Sequence, residues 1–304
     1  MINLFQQRDF GDKINATFQY ISQNFRSLGL SLLYIVGPIA LVAGIASGIM
    51  QSNLLDLTQT PKGADPDPTA IFRVFQNIFS PAFGLTILCS LLAIWAVSLV
   101  TYAHMKVYAR RSDPKALGYV PASEISVEEV WNEMQPIIGR GIVISVLSSI
   151  IAGVATLFFV IPGVYVGIVL SLALAVTSFE VTDFGKTWDR CFVLIRDKWW
   201  STFGLIIVMG IISGVVGLLF TLPAGIISFL VTSKLLPDIG SFWLILGNVI
   251  GTVGSTLLRA IIYVAIGFQY TSLVEQKEGR GLLAAIDSIG TAPTQPRPTD
   301  EGDY

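Results

Sequence analysis

Residues 142–179 read IVISVLSSIIAGVATLFFVIPGVYVGIVLSLALAVTSF, a run without a single Asp, Glu, Lys or Arg. About 20 apolar residues in an α-helix, at about 1.5 Å per residue, span the ~30 Å hydrocarbon core of a bilayer. The run is therefore long enough for two crossings, with Ile161-Pro162-Gly163 supplying the turn. Residues 82–103, 201–233 and 239–258 are also free of charge. The whole chain is 53% hydrophobic and 13% charged, where a soluble domain carries roughly 25% charged residues. A water-soluble core cannot hide so many uncharged helical lengths, so the sequence predicts an all-α polytopic membrane bundle whose first partner is the lipid bilayer. The formal net charge of −2 argues against nucleic acid as a partner, since that needs a clustered basic face.

On either side of this hairpin the sequence repeats itself. Asp9-Phe10-Gly11 returns 174 residues later as Asp183-Phe184-Gly185. At the same offset Phe10, Ile14, Phe18, Ile21 and Phe25 fall on Phe184, Trp188, Phe192, Ile195 and Trp199. Spacings of 4, 4, 3 and 4 put each set on one stripe of a helix, with polar residues on the other face. A weaker copy, Val127, Trp131, Met134 and Ile138, precedes residues 142–159. Ser126 and Glu129 form a capping box for it, and Pro136 kinks or ends it. Phe159-Val160-Ile161-Pro162-Gly163 is matched by Phe220-Thr221-Leu222-Pro223-Ala224, and more loosely by Phe79-Ser80-Pro81-Ala82.

The repeating unit is an amphipathic helix followed by a membrane hairpin. Three units, about 9–111, 126–181 and 183–275, give about six spans: 28–50, 82–104, 142–161, 163–180, 201–222 and 241–266. Residues 224–232 form either a re-entrant segment or a continuation of the fifth span. Residues 1–290 are expected to form one membrane domain, and 291–304, rich in proline and acid, a disordered tail. The polar start, with Arg8, Asp9 and Asp12, does not read as a cleavable signal peptide.

Basic residues set the topology. Segments 1–27, 105–141, 181–200 and 267–304 hold fifteen Lys and Arg, against three in 51–81 and 223–240. Both termini and all three amphipathic helices are therefore expected in the cytoplasm of a cell with an inner membrane, and the 51–81 loop, with Asp65-Pro66-Asp67-Pro68, outside.

Candidate functional residues are few. The stripes make Phe10, Phe18, Phe25, Trp131, Trp188, Trp199 and Trp200 candidate interfacial anchors; equally, these helices could pack beneath the bundle and orient it. Gly247, Gly251 and Gly254 form a small-residue ridge for helix packing within the chain or between copies, with Gly44, Gly48, Gly210, Gly214 and Gly217 offering matching surfaces. Arg259 is a charge flanked by apolar residues, with Glu180 and Asp183 as candidate partners; an intramembrane charge is a functional candidate, and a snorkelling or structural pair is the other reading. Cys89 and Cys191 read as small apolar residues. His104 is the sole histidine, so neither metal spacing nor a Ser-His-acid triad is evident, and no phosphate-binding loop is present. No cofactor is expected.

The residues from Phe184-Gly185-Lys186-Thr187-Trp188 to Trp199-Trp200, the Ile161-Pro162-Gly163 turn, and the closing Phe268-Gln269-Tyr270-Thr271-Ser272-Leu273-Val274-Glu275 and Gly281-Leu282-Leu283 carry a resemblance. They look like a broad group of poorly characterised bacterial membrane proteins that resemble the membrane domain of some glycerophosphodiester phosphodiesterases. The resemblance spans most of residues 9–290. It implies an accessory membrane domain without phosphodiesterase chemistry, and carries over no active-site residue. The expected function is a non-enzymatic scaffold or accessory factor at the cytoplasmic leaflet, serving other membrane proteins; a transporter or lipid-handling protein is the alternative.

Overall fold

The computed structural model describes residues 2–58, 72, 75–76, 80–112, 124–180, 182–233, 235 and 241–279. Among these the chain is helical and contains no strand. The helices are α1 (Phe10–Gln23), α2 (Phe25–Ile35), α3 (Gly37–Thr58), α4 (Pro81–Ser112), α5 (Val127–Met134), α6 (Ile138–Phe158), α7 (Val160–Leu170), α8 (Ala173–Phe179), α9 (Phe184–Ile195), α10 (Trp199–Thr232), α11 (Ser241–Leu258) and α12 (Ala260–Glu278). Six lengths are long and apolar enough to cross a membrane: Gly37–Leu55, Pro81–Ser112, Val127–Phe158, Val160–Phe179, Trp199–Thr232 and Phe242–Glu278. The fold is an all-α polytopic bundle, as the sequence predicts. The Asp65-Pro66-Asp67-Pro68 turn, Gly281-Leu282-Leu283 and the 291–304 tail lie outside the described residues.

The breaks between helices have local causes. Pro38 has no N–H to give the carbonyl four residues earlier, and α2 hands over to α3 beside it, at Val36. The middle hairpin turns at Phe159, a single extended residue (φ −152°, ψ 123°), and not at Ile161-Pro162-Gly163. Pro162 instead falls in the first turn of α7, where backbone N–H groups have no intrahelical acceptor to lose. Gly163 is obligatory there: a Cβ on it would lie 2.4 Å from the Thr156 Cα. Ser126 and Glu129 form the expected capping box, and Pro136 sits in a 3-10 turn, Gln135–Ile137, that joins α5 to α6. Residues 224–232 continue the fifth span, because α10 runs through Pro223 to Thr232. The sixth span breaks at Arg259, between α11 and α12.

α4 and α12 are the inner helices, and their halves near Tyr102 and Phe268 form the densest part of the core. α3 packs on α11, and α11 on α10. Gly44 and Gly48 make the first contact possible: a Cβ on either would approach the Val249 or Ile245 Cα to 2.8 or 2.7 Å. Gly247, Gly251 and Gly254 face Ala224, Thr221 and Phe220 of α10, so the small-residue ridge serves packing within the chain. Large apolar residues such as Ile150, Leu157, Ile161, Ile211 and Leu219 are exposed around the bundle, as a hydrocarbon solvent permits.

Candidate functional site

The three short helices each bury one narrow face. In α1 it is Lys13, Thr17 and Tyr20; in α9, Thr187, Cys191 and Leu194, each 174 positions later; in α5, Val130 and Met134. Most of the stripe picked out by the sequence lies one residue further on, about 100° around the helix, although two of its members, Met134 and Ile195, are buried as well. It is therefore half out of the bundle: Phe10 is 40% exposed, Phe18 41%, Trp131 40% and Phe192 38%. Phe25 and Trp200 are more exposed still, at 73% and 76%. Trp188 is half-buried and leans on Phe184. Trp199 belongs to the packing: it stacks on Tyr165 and Phe203, and its indole N–H donates to the Tyr165 carbonyl at 3.2 Å. Each short helix thus sets one face against the bundle and leaves an aromatic edge exposed.

Ion pairs clasp α5 and α9 in place. Lys106 and Arg110, near the C-terminus of α4, both reach Glu133 of α5 at 2.9 Å, and Arg111 pairs with Glu129. The C-terminal end of α4 carries partial negative charge, which favours these cations independently of their partners. On α9, Arg190 makes a two-point contact with Glu180 (3.0–3.2 Å) and also meets Glu278 of α12. Burial pulls the Arg190 guanidinium down, but the hydrogen bonds and charges of Glu180 and Glu278 outweigh it, and its pKa stands above the usual value. Tyr270 donates its hydroxyl to Glu180 at 2.7 Å.

Glu180 is thus committed to α9 and α12, and the expected Arg259–Glu180 pair does not form. The reason is distance along α12: Arg259 precedes Tyr270 by eleven residues, about 16 Å of helix. Asp183 does not pair with Arg259 either; it is the N-cap of α9, at the same charged end.

Two buried polar groups at this end were not legible as sites. His104 is fully buried, with Tyr20 Oη 2.7 Å from Nδ1 and Ser27 Oγ 3.0 Å from Nε2. Both ring nitrogens are occupied, so the imidazole joins α1, α2 and α4 as a structural node. Arg8 lies over the Phe268 ring (5.0 Å to the centroid) and donates to the Leu4 and Asn3 carbonyls. Its own N–H donates to Ser272 Oγ at 3.1 Å, so residues 2–8 are tucked beneath α12. Burial lowers the pKa of Arg8 and, more locally, of Lys13, whose charge also faces Lys198.

Arg259 stands apart, exposed, at the break in the sixth span. Ile262 gives its N–H to the Arg259 carbonyl, and Ser213 of α10 donates to the Leu258 carbonyl at 3.3 Å. Beside it a groove of about 300 Å³ runs between α10 and the sixth span. Gly210, Gly214 and Gly217 line it on one side, with the hydroxyls of Ser213, Thr221 and Ser255 around Arg259. These three glycines do not pack against a helix as the sequence suggested: a Cβ on any of them would meet nothing within 4 Å.

Comparison with protein-family models, curated proteins and solved structures finds no match. The fold is that of a multi-pass membrane protein, and the function rests on the geometry above.

Proposed function

We propose that this chain is a non-enzymatic integral membrane protein that engages the cytoplasmic leaflet and serves there as a scaffold or accessory factor for other membrane proteins. One observation carries the reading: three short helices are held at the same end of the bundle, two by ion pairs and α1 through Tyr20 on His104, each with an aromatic edge outward beside its buried face. An aromatic edge of that kind sits well at the boundary between acyl chains and headgroups. The burial of Lys13, Thr17 and Tyr20 alongside Thr187, Cys191 and Leu194 supports a repeated unit, an amphipathic helix followed by a hairpin. Fifteen Lys and Arg on the segments at this end, against three on those at the other, support a cytoplasmic placement of both termini in an inner membrane. The resemblance to bacterial accessory membrane domains points the same way.

The test is depth-resolved. An environment-sensitive fluorophore is placed in turn at Phe18, Trp131 and Phe192 of the chain in nanodiscs, and at Asp12 and Asp189 on the polar faces. Brominated lipids should quench the first three and leave the last two water-like. Water-like emission at all five positions sinks the leaflet reading. Crosslinking from the same positions in native membranes should then recover a second membrane protein; capture of lipid alone removes the scaffold part.

A further inference from the structure

Among the described residues, Arg259 is a charge without a protein counter-ion: no carboxylate lies within ion-pair distance of it. Its depth follows from hydrogen bonds at the charged end. Gln269 of α12 donates to Thr202 of α10 at 2.8 Å, one residue from the Tyr270–Glu180 contact. Arg259 lies ten residues before Gln269, hence about 15 Å further into the apolar slab. In the other direction, the exposed Trp243 stands sixteen residues away, about 24 Å. The guanidinium therefore belongs to the half of the membrane nearer the charged end, beneath the headgroups. An arginine in hydrocarbon is costly unless it is paired or hydrated, which marks such residues as functional.

The groove beside it has the properties of a binding site for that missing charge. Its wall of Gly210, Gly214 and Gly217 faces open space. Glycine within a helix is unfavourable relative to alanine, and a neighbouring backbone normally explains it. Here none does, so these positions keep a volume empty beside the cation. Thr221 and Ser255 also line it; their hydroxyls donate to the Leu218 and Thr252 carbonyls at 3.2 and 3.3 Å, and turn to an anionic oxygen only by leaving those carbonyls. A guanidinium offers a planar fork that matches two oxygens of a phosphate or carboxylate. The lining carries no acidic side chain that would hold a quaternary ammonium, so a net-anionic headgroup fits better than a zwitterionic one.

We infer that the groove between α10 and the sixth span binds the anionic headgroup of an acidic phospholipid, with Arg259 as its counter-ion. The acyl chains extend deeper along α10, over the exposed apolar flank at Val215 and Leu219. This goes beyond engagement of the leaflet surface, because it places one lipid below the headgroup plane at a defined residue.

The purified full chain is reconstituted in phosphatidylcholine nanodiscs doped with phosphatidic acid carrying a photoactivatable group near its phosphate, and the labelled peptides are identified by mass spectrometry. Labelling is expected within 210–221 and 255–262. Arg259→Gln should lower it roughly tenfold or more, the loss typical of a hydrogen-bonded charge, and Arg259→Lys should retain part of it. Excess inorganic phosphate should not compete. The inference is overturned if phosphatidylcholine bearing the same photogroup labels these peptides equally, if Arg259→Gln labels as well as the unaltered chain, or if inorganic phosphate displaces the label. Should Arg259→Gln fail to fold, Gly214→Leu decides: it fills the groove without meeting a neighbouring helix, and unchanged labelling overturns the site. Because the short helices are untouched, these outcomes are independent of the fluorescence test above.

Discussion

Ser213 of α10 donates its hydroxyl to the carbonyl of Leu258, the group left over where the sixth span breaks and Ile262 turns its N–H to Arg259. A carbonyl without a donor is expensive in hydrocarbon, so the break and the serine form one device. Ser213→Ala should lower stability by about 0.6 kcal/mol, the average for interhelical hydrogen bonds in membranes, and by no more than about 1.7 kcal/mol. Thermal unfolding in a fixed nanodisc composition checks this, and an unchanged midpoint refutes it.

The Glu180–Arg190–Glu278 clasp predicts a charge-dependent loss. Glu180→Gln keeps the shape but weakens the bonds to Arg190 and Tyr270, at a cost of about 1–3 kcal/mol. Glu180→Arg should cost more, since it sets two cations together beside α9. Combining it with Arg190→Glu should restore part of the loss, and a double-mutant cycle on thermal unfolding reads the coupling.

Glycines separate into two groups. Gly48→Ala would press a methyl group into the Ile245 backbone, 2.7 Å away, and should destabilise the α3–α11 contact by about 1–3 kcal/mol. Gly210→Ala meets nothing and should be neutral, or stabilising by about 0.5–1 kcal/mol. Equal effects of the two substitutions would contradict the packing described here.

Cys191 should resist alkylation. Its side chain is fully buried, and burial pushes the thiol from its ordinary value of 9.0 up to about 12, with the Glu180 charge adding to the rise. The folded chain thus holds a proton that the unfolded chain releases between those values. The stability that Cys191 contributes is complete below about pH 9 and is lost as pH rises towards 12. In a Cys89→Ser background, maleimide should label Cys191 only after denaturation, or faster once Glu180→Gln loosens α9. Rapid labelling of the folded chain at neutral pH would contradict this placement.

The fold was legible because hydrocarbon imposes a simple rule: apolar lengths near 20 residues must be helices, and their number follows from counting. The stripes were legible too, since spacings such as Phe10, Ile14, Phe18 encode a face. Which neighbouring face packs inward was not, because Lys13 and Thr17 look like surface residues until His104 and α12 are in place beside Tyr20. Arg259 was visible as a lone charge, yet its partner was misread. Glu180 is near in composition and topology but about three turns short of it along α12, and sequence separation carries no depth. The groove was invisible altogether, because glycines that keep a space open look the same as glycines that let two helices touch.

The tucking of residues 2–8 beneath α12 has a consequence for biogenesis. Arg8 and Ser272 are 264 positions apart, so at about 5–20 residues per second the ribosome needs roughly 13–50 s to deliver the second after the first. Throughout that interval Arg8 lacks both the Phe268 ring and the Ser272 hydroxyl, although Ile2 already has Tyr108 of α4, and α1 has only part of the surface against which Tyr20 rests. The contact between Arg8 and α12 therefore closes late, and a chain halted before α12 leaves the segment around Arg8 open for chaperones or proteases to read.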